Sequence, residues 1–247
     1  MKPSIKTIQN KKAIIVGASS GIGEALAKQL SNEGYVLGLI ARREELLLDL
    51  QKNLPTKSYL QKIDVADLDD SSKQFTDLLE EMDGVDLVII SAGTGFINYE
   101  LDYSKEIKTI QTNVSGFVVI ADLAFNHFAQ KKSGHLVGIS SILALCGNDA
   151  APAYNASKAF VSNYLQGLRK KSIKENLNIT ITDIKPGYVD TEMAKGGGMF
   201  WVAPVEKAAK QIIDSIKKKK HHAYITKRWR IIGWLLKILP FVMSKKF

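Results

Sequence analysis

Tyr154 and Lys158 stand four residues apart in Tyr154-Asn155-Ala156-Ser157-Lys158. A helix through them puts a phenol and an ammonium on one face. A free phenol ionises near pH 10, about three units above neutrality, and a lysine charge held close, together with the cationic ring of a bound cofactor, would favour the phenolate and lower that value. Such a pair can hand a proton to a substrate or take one away. In a lysine-rich chain the spacing alone says little. It gains weight from Ser140-Ser141, which closes a short apolar run and offers a hydroxyl, and from a glycine loop far upstream.

That loop is Gly17-Ala18-Ser19-Ser20-Gly21-Ile22-Gly23, between an apolar run and a helical pattern. A glycine turn there lets backbone N–H groups approach a pyrophosphate, whose charge a helix N-terminus favours. The loop therefore reads as a dinucleotide site, with an ordinary turn as the plain alternative. The next apolar run ends Leu39-Ile40-Ala41-Arg42-Arg43, with no acid before Glu44. An acid at that point would serve the ribose hydroxyls of NAD, whereas an arginine accommodates the 2′-phosphate of NADP. Arg42 is read as the phosphate ligand with Ser19 or Arg43 assisting, against the alternative that both arginines are exposed residues opening a helix. NADP is the expected cofactor and NAD the second choice.

The elements that must position these groups follow from periodicity. Short apolar, β-branched runs at 13–17, 36–41, 59–63, 85–90, 135–140 and 179–184 alternate with helical patterns near 22–33, 43–53, 68–82, 104–131, 153–175 and 204–218. Strands buried on both faces read as unbroken Val/Ile/Leu runs, as Val85-Asp86-Leu87-Val88-Ile89-Ile90 nearly does. Alternation of this kind predicts an α/β fold: a single doubly wound, Rossmann-like parallel sheet with helices on both faces. Ligands in such folds sit at the carboxyl ends of the strands, where Gly17, Arg42, Asp64, Ala92 and Ser141 all fall.

On these marks the chain resembles the short-chain dehydrogenase/reductase family over nearly residues 10–226. The marks are the Gly17/Gly21/Gly23 loop, Asp64-Val65, Ala92-Gly93, Asn113, Ser141 with Tyr154 thirteen residues on, Lys158, and Pro186-Gly187-Tyr188-Val189-Asp190-Thr191. The resemblance implies that Ser141, rather than the competing Ser140, would hydrogen-bond a substrate carbonyl. Tyr154 would be the proton donor in reduction and the base in oxidation. Lys158 would bind the nicotinamide ribose and tune Tyr154, and Asn113 would hold a water linking Lys158 to the proton relay. Asp64 would contact the adenine and Thr191 the carboxamide, with Ser19, Ser20, Ile22, Val65, Ala92, Gly93, Pro186, Gly187 and Val189 also against the cofactor. Two departures stand out: Val16 replaces the frequent threonine before the loop, and Ile90-Ser91-Ala92-Gly93 replaces the usual Asn-Asn-Ala-Gly.

The resemblance implies an NADP(H)-linked oxidoreductase acting on a carbonyl or alcohol, with a cofactor-bound regulatory or scaffold protein as the alternative. Residues 187–203 occupy the place of a substrate lid. Gly196-Gly197-Gly198 would let it hinge, and Met193, Met199, Phe200 and Trp201 would give an apolar wall for a hydrophobic, lipid-like substrate. Leu143, Leu145 and Cys146 would line the same pocket. The resemblance also implies a homodimer or homotetramer through the helices at 104–131 and 153–175. The second of these carries Phe160, Val161, Tyr164, Leu165 and Leu168, more apolar residues than one inward face uses.

The 247 residues, 45% of them apolar, suit one large globular domain. One cysteine cannot form an internal disulfide, and a polar start with no signal-like apolar segment points to the cytoplasm. The Asn-x-Ser/Thr triplets at Asn113, Asn155 and Asn178 are then chance matches. The four histidines show no metal-ligand spacing, so no metal is expected. Residues 1–214 carry 24 Lys and Arg against 25 Asp and Glu, while the last 33 residues hold ten basic groups and no acid. A body without its own basic patch argues against nucleic acid as a partner. The catalytic domain is placed at 1–226 and an amphipathic extension at 227–247. Its helix, from residue 228 to 239 ahead of Pro240, is predicted with Arg230, Gly233 and Lys237 as a polar strip and Trp229, Trp234 and aliphatic residues elsewhere. Peripheral contact with an anionic membrane, or packing on protein, is the expectation.

Overall fold

A computed structural model describes residues 11–193 and 200–238. Seven strands form one wholly parallel sheet in the order β3-β2-β1-β4-β5-β6-β7. They are β1 (Lys12–Val16), β2 (Val36–Ala41), β3 (Ser58–Lys62), β4 (Leu87–Ile90), β5 (Ser133–Ile139), β6 (Asn178–Pro186) and β7 (His222–Ile225). Alternate residues of β1 serve opposite layers. Ala13 and Ile15 join a core with Leu26, Leu30, Ile212 and Ile213, under α1 (Gly21–Asn32) and α7 (Val205–Lys217). Ile14 and Val16 join Phe75, Phe117, Ile120, Phe125 and Leu165 on the other face. That second core lies under α3 (Leu68–Glu81), α5 (Gly116–Lys131) and α6 (Pro152–Lys174), while α2 (Glu44–Lys52) connects β2 to β3. The chain reverses its direction of winding between β1 and β4, which leaves a crevice at their carboxyl ends.

The sequence predicts one helix at 104–131, and here the structure differs. α4 (Tyr103–Ile110) runs into a π-helical turn at Gln111–Ser115, and α5 starts at Gly116. Widened turns of this type collect at functional positions, and this one carries Asn113. A second unanticipated element is a 3₁₀ turn at Ile142–Leu145, capped by the Ser141 hydroxyl, which accepts from Leu143 N–H.

Three of the five apolar residues that suggested a surplus on α6 are used inward, since Val161, Leu165 and Leu168 are core. Phe160 and Tyr164 remain toward the surface, stacked with ring centroids 5.5 Å apart.

The tail forms α8 (Trp229–Ile238), beginning at the carboxyl end of β7. The predicted polar strip is corrected in one respect. Gly233 faces inward, where a Cβ would come within 2.5 Å of the Tyr224 ring. Trp229 is also inward, 2% exposed, with its indole over Gly187. Residues 217–220 precede β7 and so lie at the opposite end of the sheet from α8. No helix among the described residues is long and apolar enough to cross a membrane.

His135 on β5 gives the fold a pH dependence. The Thr182 hydroxyl donates to the Lys220 carbonyl at 2.5 Å, so at 2.8 Å from His135 Nε2 it can only accept. That fixes the proton on Nε2. Burial, together with the nearby Lys219 charge, pushes the imidazole down to about 4. The unfolded chain takes up this proton near its ordinary 6.5 and the folded chain resists until about 4, so stability falls as pH drops through that window. Chemical denaturation at pH 7 and pH 4 should show wild type losing about 3 kcal/mol more than His135→Gln. Equal losses would remove His135 as the cause.

Candidate active site

The glycine loop is held from both sides. Gly17 and Ala18 N–H donate to the Ile40 carbonyl at 2.8 and 3.0 Å, and Ser91 and Ala92 N–H donate to the Val16 carbonyl, both at 2.8 Å. Only glycine fits at Gly17: its φ is +88°, and a Cβ would sit 2.6 Å from the Ala92 nitrogen. A Cβ on Gly23 would strike the Gly17 carbonyl oxygen at 2.0 Å, so helix and loop meet backbone to backbone. Ser20 precedes α1 in extended conformation and places no side-chain oxygen on the first N–H groups. The helix N-terminus is left open to an anion. Thr191 lies against Gly21, which brings the segment after β6 to the same loop.

Arg43 donates to Ser20 Oγ at 2.7 Å and Ser19 Oγ at 3.3 Å, and pairs with Glu192 at 3.5 Å. Arg42 instead pairs with Asp64 at 3.7 Å. The two guanidinium groups thus have different partners, and the one touching the loop's serines is Arg43. Arg42 and Asp64 also line an open groove of about 400 Å³ with Ala66, Tyr103, Lys108 and Thr112. Val65 is buried, its carbonyl so close to Gly116 that a Cβ there would come within 2.3 Å.

Ser141, Tyr154 and Lys158 come together from β5 and α6. The Ser141 hydroxyl accepts from Leu143 N–H at 3.1 Å and lies close enough to the Tyr154 phenol to pull its pKa down. Lys158 is 5% exposed, donates to the Ile139 carbonyl at 3.0 Å, and has its Nζ 5.7 Å from the centre of the Tyr154 ring. The phenol's pKa lies above its ordinary value. Burial raises it, Ser141 opposes that and Tyr188 adds to it. The ammonium lies over the ring with a carbonyl partner of its own, so its field does not overcome burial. Burial brings Lys158 down to about 8, against an upward pull from Asp183.

Asn113 donates to the Thr94 carbonyl at 2.7 Å and to Ser157 Oγ at 2.9 Å, while its Oδ1 accepts from Thr94 N–H at 2.8 Å. It ties the loop after β4 to α6. A Cβ on Gly93 would lie 3.2 Å from Lys158 Nζ and 3.3 Å from Asn113 Oδ1, so both side chains converge on that glycine. Ser157 was not singled out from sequence, although it lies inside the Tyr-x-x-x-Lys segment; its hydroxyl donates to the Tyr154 carbonyl at 2.7 Å.

Ser140 has a different role from its neighbour. Its hydroxyl donates to Asp183, which also accepts from Ser162 at 2.7 Å and pairs with Lys185. Asp183 and Lys185 are both buried. This buried pair ties the end of β5, from which Ser141 projects, to β6 and α6. An alternating Asp-x-Lys in an apolar strand was its visible signal.

On the far side of the cleft, Val189 bridges Ala203, closing the base of the 187–203 segment. Gly196–Gly198 and Met199 lie outside the described residues. Tyr188, Phe200, Trp201 and Trp229 form an aromatic cluster with centroids 5.1–6.0 Å apart. Gly187 admits the Trp229 indole, because a Cβ there would lie 2.0 Å from the ring. Pro186 ends β6 just before it. Leu143 and Leu145 lie in the 3₁₀ turn after Ser141. Burial pushes the Cys146 thiol up, which leaves it a weak nucleophile.

The family described as short chain dehydrogenase matches residues 11–198. An uncharacterized oxidoreductase of Mycobacterium tuberculosis is 32% identical over 251 residues, covering 97% of this chain and 98% of that protein. Among solved structures, an alcohol dehydrogenase from the archaeon Thermococcus sibiricus, complexed with 5-hydroxy-NADP, aligns with a TM-score of 0.76 at 22% identity. It covers 87% of this chain and 96% of that one. A short-chain dehydrogenase from Sphingobium yanoikuyae in complex with NADPH aligns with a TM-score of 0.78 at 20% identity, covering 94% and 97%.

The buried pair behind the site sets a stability test. Asp183→Asn leaves the Lys185 ammonium buried without a counter-charge and should cost about 3 kcal/mol in urea denaturation. Replacing both, as Asp183→Leu with Lys185→Met, should recover most of that loss. A single variant as stable as wild type would mean that the pair does not hold this corner.

Proposed function

The chain belongs to the short-chain dehydrogenase/reductase family, an oxidoreductase of that type, and we propose that it reduces a hydrophobic carbonyl, or oxidises the corresponding alcohol, with NADP(H). The observation that carries this reading is the convergence of Ser141, Tyr154 and Lys158 beside an open helix N-terminus.

The residues present fit a dinucleotide. The loop from Gly17 to Gly23 has no room for side chains at its close approaches, and the orphan N–H groups of α1 suit a pyrophosphate. Arg42 and Arg43 would hold a 2′-phosphate, Asp64 and Val65 the adenine side, and Ala92, Gly93, Pro186, Gly187, Val189 and Thr191 the nicotinamide side. When bound, NADPH supplies the hydride to the carbonyl carbon. Ser141 donates a hydrogen bond to the carbonyl oxygen and orients it. Tyr154 gives that oxygen its phenolic proton, completing the alcohol. The Lys158 cation stabilises the phenolate that remains, and Asn113 keeps the loop after β4 against α6. Support for an apolar substrate comes from the cluster of Tyr188, Phe200, Trp201 and Trp229. A second copy of the chain is the expected partner, supported by half-exposed Phe160 and exposed Ile173 on α6.

Two measurements test the reading. Tyr154→Phe should lower turnover of an apolar ketone by about 100-fold or more while NADPH affinity stays within twofold of wild type, about the scale of one lost proton donor. Retained turnover would overturn the assignment. NADPH should bind at least about tenfold more tightly than NADH, as a charge-assisted phosphate contact gives. Arg42→Ala with Arg43→Ala should erase the difference, and equal affinities in wild type would exclude NADP preference.

A further inference from the structure

α8 has two apolar faces, and only one is used by the fold. Trp229 and Gly233 are buried against Gly187, Tyr224 and Ile142. Ile231 and Trp234 point outward at 63% exposed each, with Leu235 beside them at 37%. On a helix these three residues form one ridge, at spacings of three and four.

The ridge continues past the helix. Arg228, one turn before Ile231, lies 5.1 Å from the centre of the Trp201 ring and donates to the Trp201 carbonyl at 2.6 Å. Trp201 is flanked by Phe200 and Val202, and all three are more than a third exposed. An apolar strip therefore runs from the lid segment along α8, at the carboxyl end of the sheet where the cleft opens. Lys227, Arg228 and Arg230 border it, all exposed, and none forms an ion pair among the described residues. No acid follows Asp214 anywhere in the sequence.

We propose that this strip docks the mouth of the cleft on an anionic bilayer surface. Exposed tryptophan and aliphatic side chains beside arginine and lysine are the composition of a helix lying in the interface plane. A second copy is a poorer occupant. A two-fold contact through this strip would bring the same three cations of each copy together with no carboxylate from the tail to pair them. The charge argument rests on three cations at this end, because residues 217–220 lie at the other end of the sheet. The position of the strip would let a hydrophobic substrate pass from lipid into the cleft, but docking does not depend on the reductase reading and its test does not measure turnover.

The test is co-sedimentation of the full chain with vesicles of phosphatidylcholine alone, or containing about one third phosphatidylglycerol, at low salt and at about 0.5 M salt. Three interfacial cations should give about a hundredfold preference for the anionic vesicles, falling at high salt. Tryptophan fluorescence should shift to the blue on binding, because Trp201 and Trp234 are both exposed on the strip. Ile231→Glu with Trp234→Glu should lower binding to anionic vesicles at least about tenfold, because both apolar anchors are lost. The same variant should keep the wild-type thermal melt, since both side chains are exposed. Full-length protein left in the supernatant at low salt would overturn the proposal, as would equal binding to neutral vesicles or unchanged binding by the double variant. Concentration-dependent dimerisation lost in that variant, without vesicle binding, would assign the strip to a second copy instead.

Discussion

The side-chain amide of Asn113 is the contact on which the site's arrangement depends. It bonds both backbone groups of Thr94 and the Ser157 hydroxyl. One planar group thereby joins the loop after β4, the turn between α4 and α5, and α6. A regular α-helix through residues 104–131 would carry residue 113 at a different angle. The π turn widens the helix by one residue just there. Ser157 passes the constraint along α6 to Tyr154 through its bond to the Tyr154 carbonyl. The phenol is thus oriented from its own backbone as well as by Ser141.

Behind this arrangement the electrostatics are those of burial. Lys158 and Lys185 are two ammonium groups carried in the interior of one fold, and they are handled differently. Lys185 has a carboxylate, Asp183, in direct contact. Lys158 has only a carbonyl in contact, with Asp183 acting from farther away, and it is brought down to about 8. A cation with a carboxylate in contact is neutralised in place, whereas one with only a carbonyl in contact has its pKa brought down by burial. The same carboxylate holds Ser140 and leaves Ser141, the next residue, facing the phenol.

The C-terminal helix belongs to the cleft as much as to the surface. Trp229 completes an aromatic wall begun by Tyr188 and Phe200, and it can do so because Gly187 lacks a side chain. Its burial also explains why the outer face of α8 remains apolar without costing the fold its packing.

Much was determined by the sequence alone. Unbroken apolar runs such as Leu87–Ile90 specify strands buried on both faces, and their alternation with helical periods admits few topologies. The glycine loop and the Ser141–Tyr154–Lys158 spacing are legible because glycines at close approaches and a four-residue helical interval are local requirements. What the sequence did not disclose depends on partners distant in the chain. The π turn at Asn113 answers to Thr94 and Ser157, nineteen and forty-four residues away. Arg43 rather than Arg42 touches Ser19 and Ser20 because both lie in the connection between β2 and α2, where Arg43 is extended and successive side chains of an extended chain point to opposite sides. The inward turn of Trp229 and Gly233 required the surface of β6 and β7 to be in place, since periodicity gives an apolar arc but not which part of it meets the body. The raised pKa of Tyr154 has the same origin: Lys158 is written in the sequence, but the burial that raises the phenol exists only once the chain has folded around it.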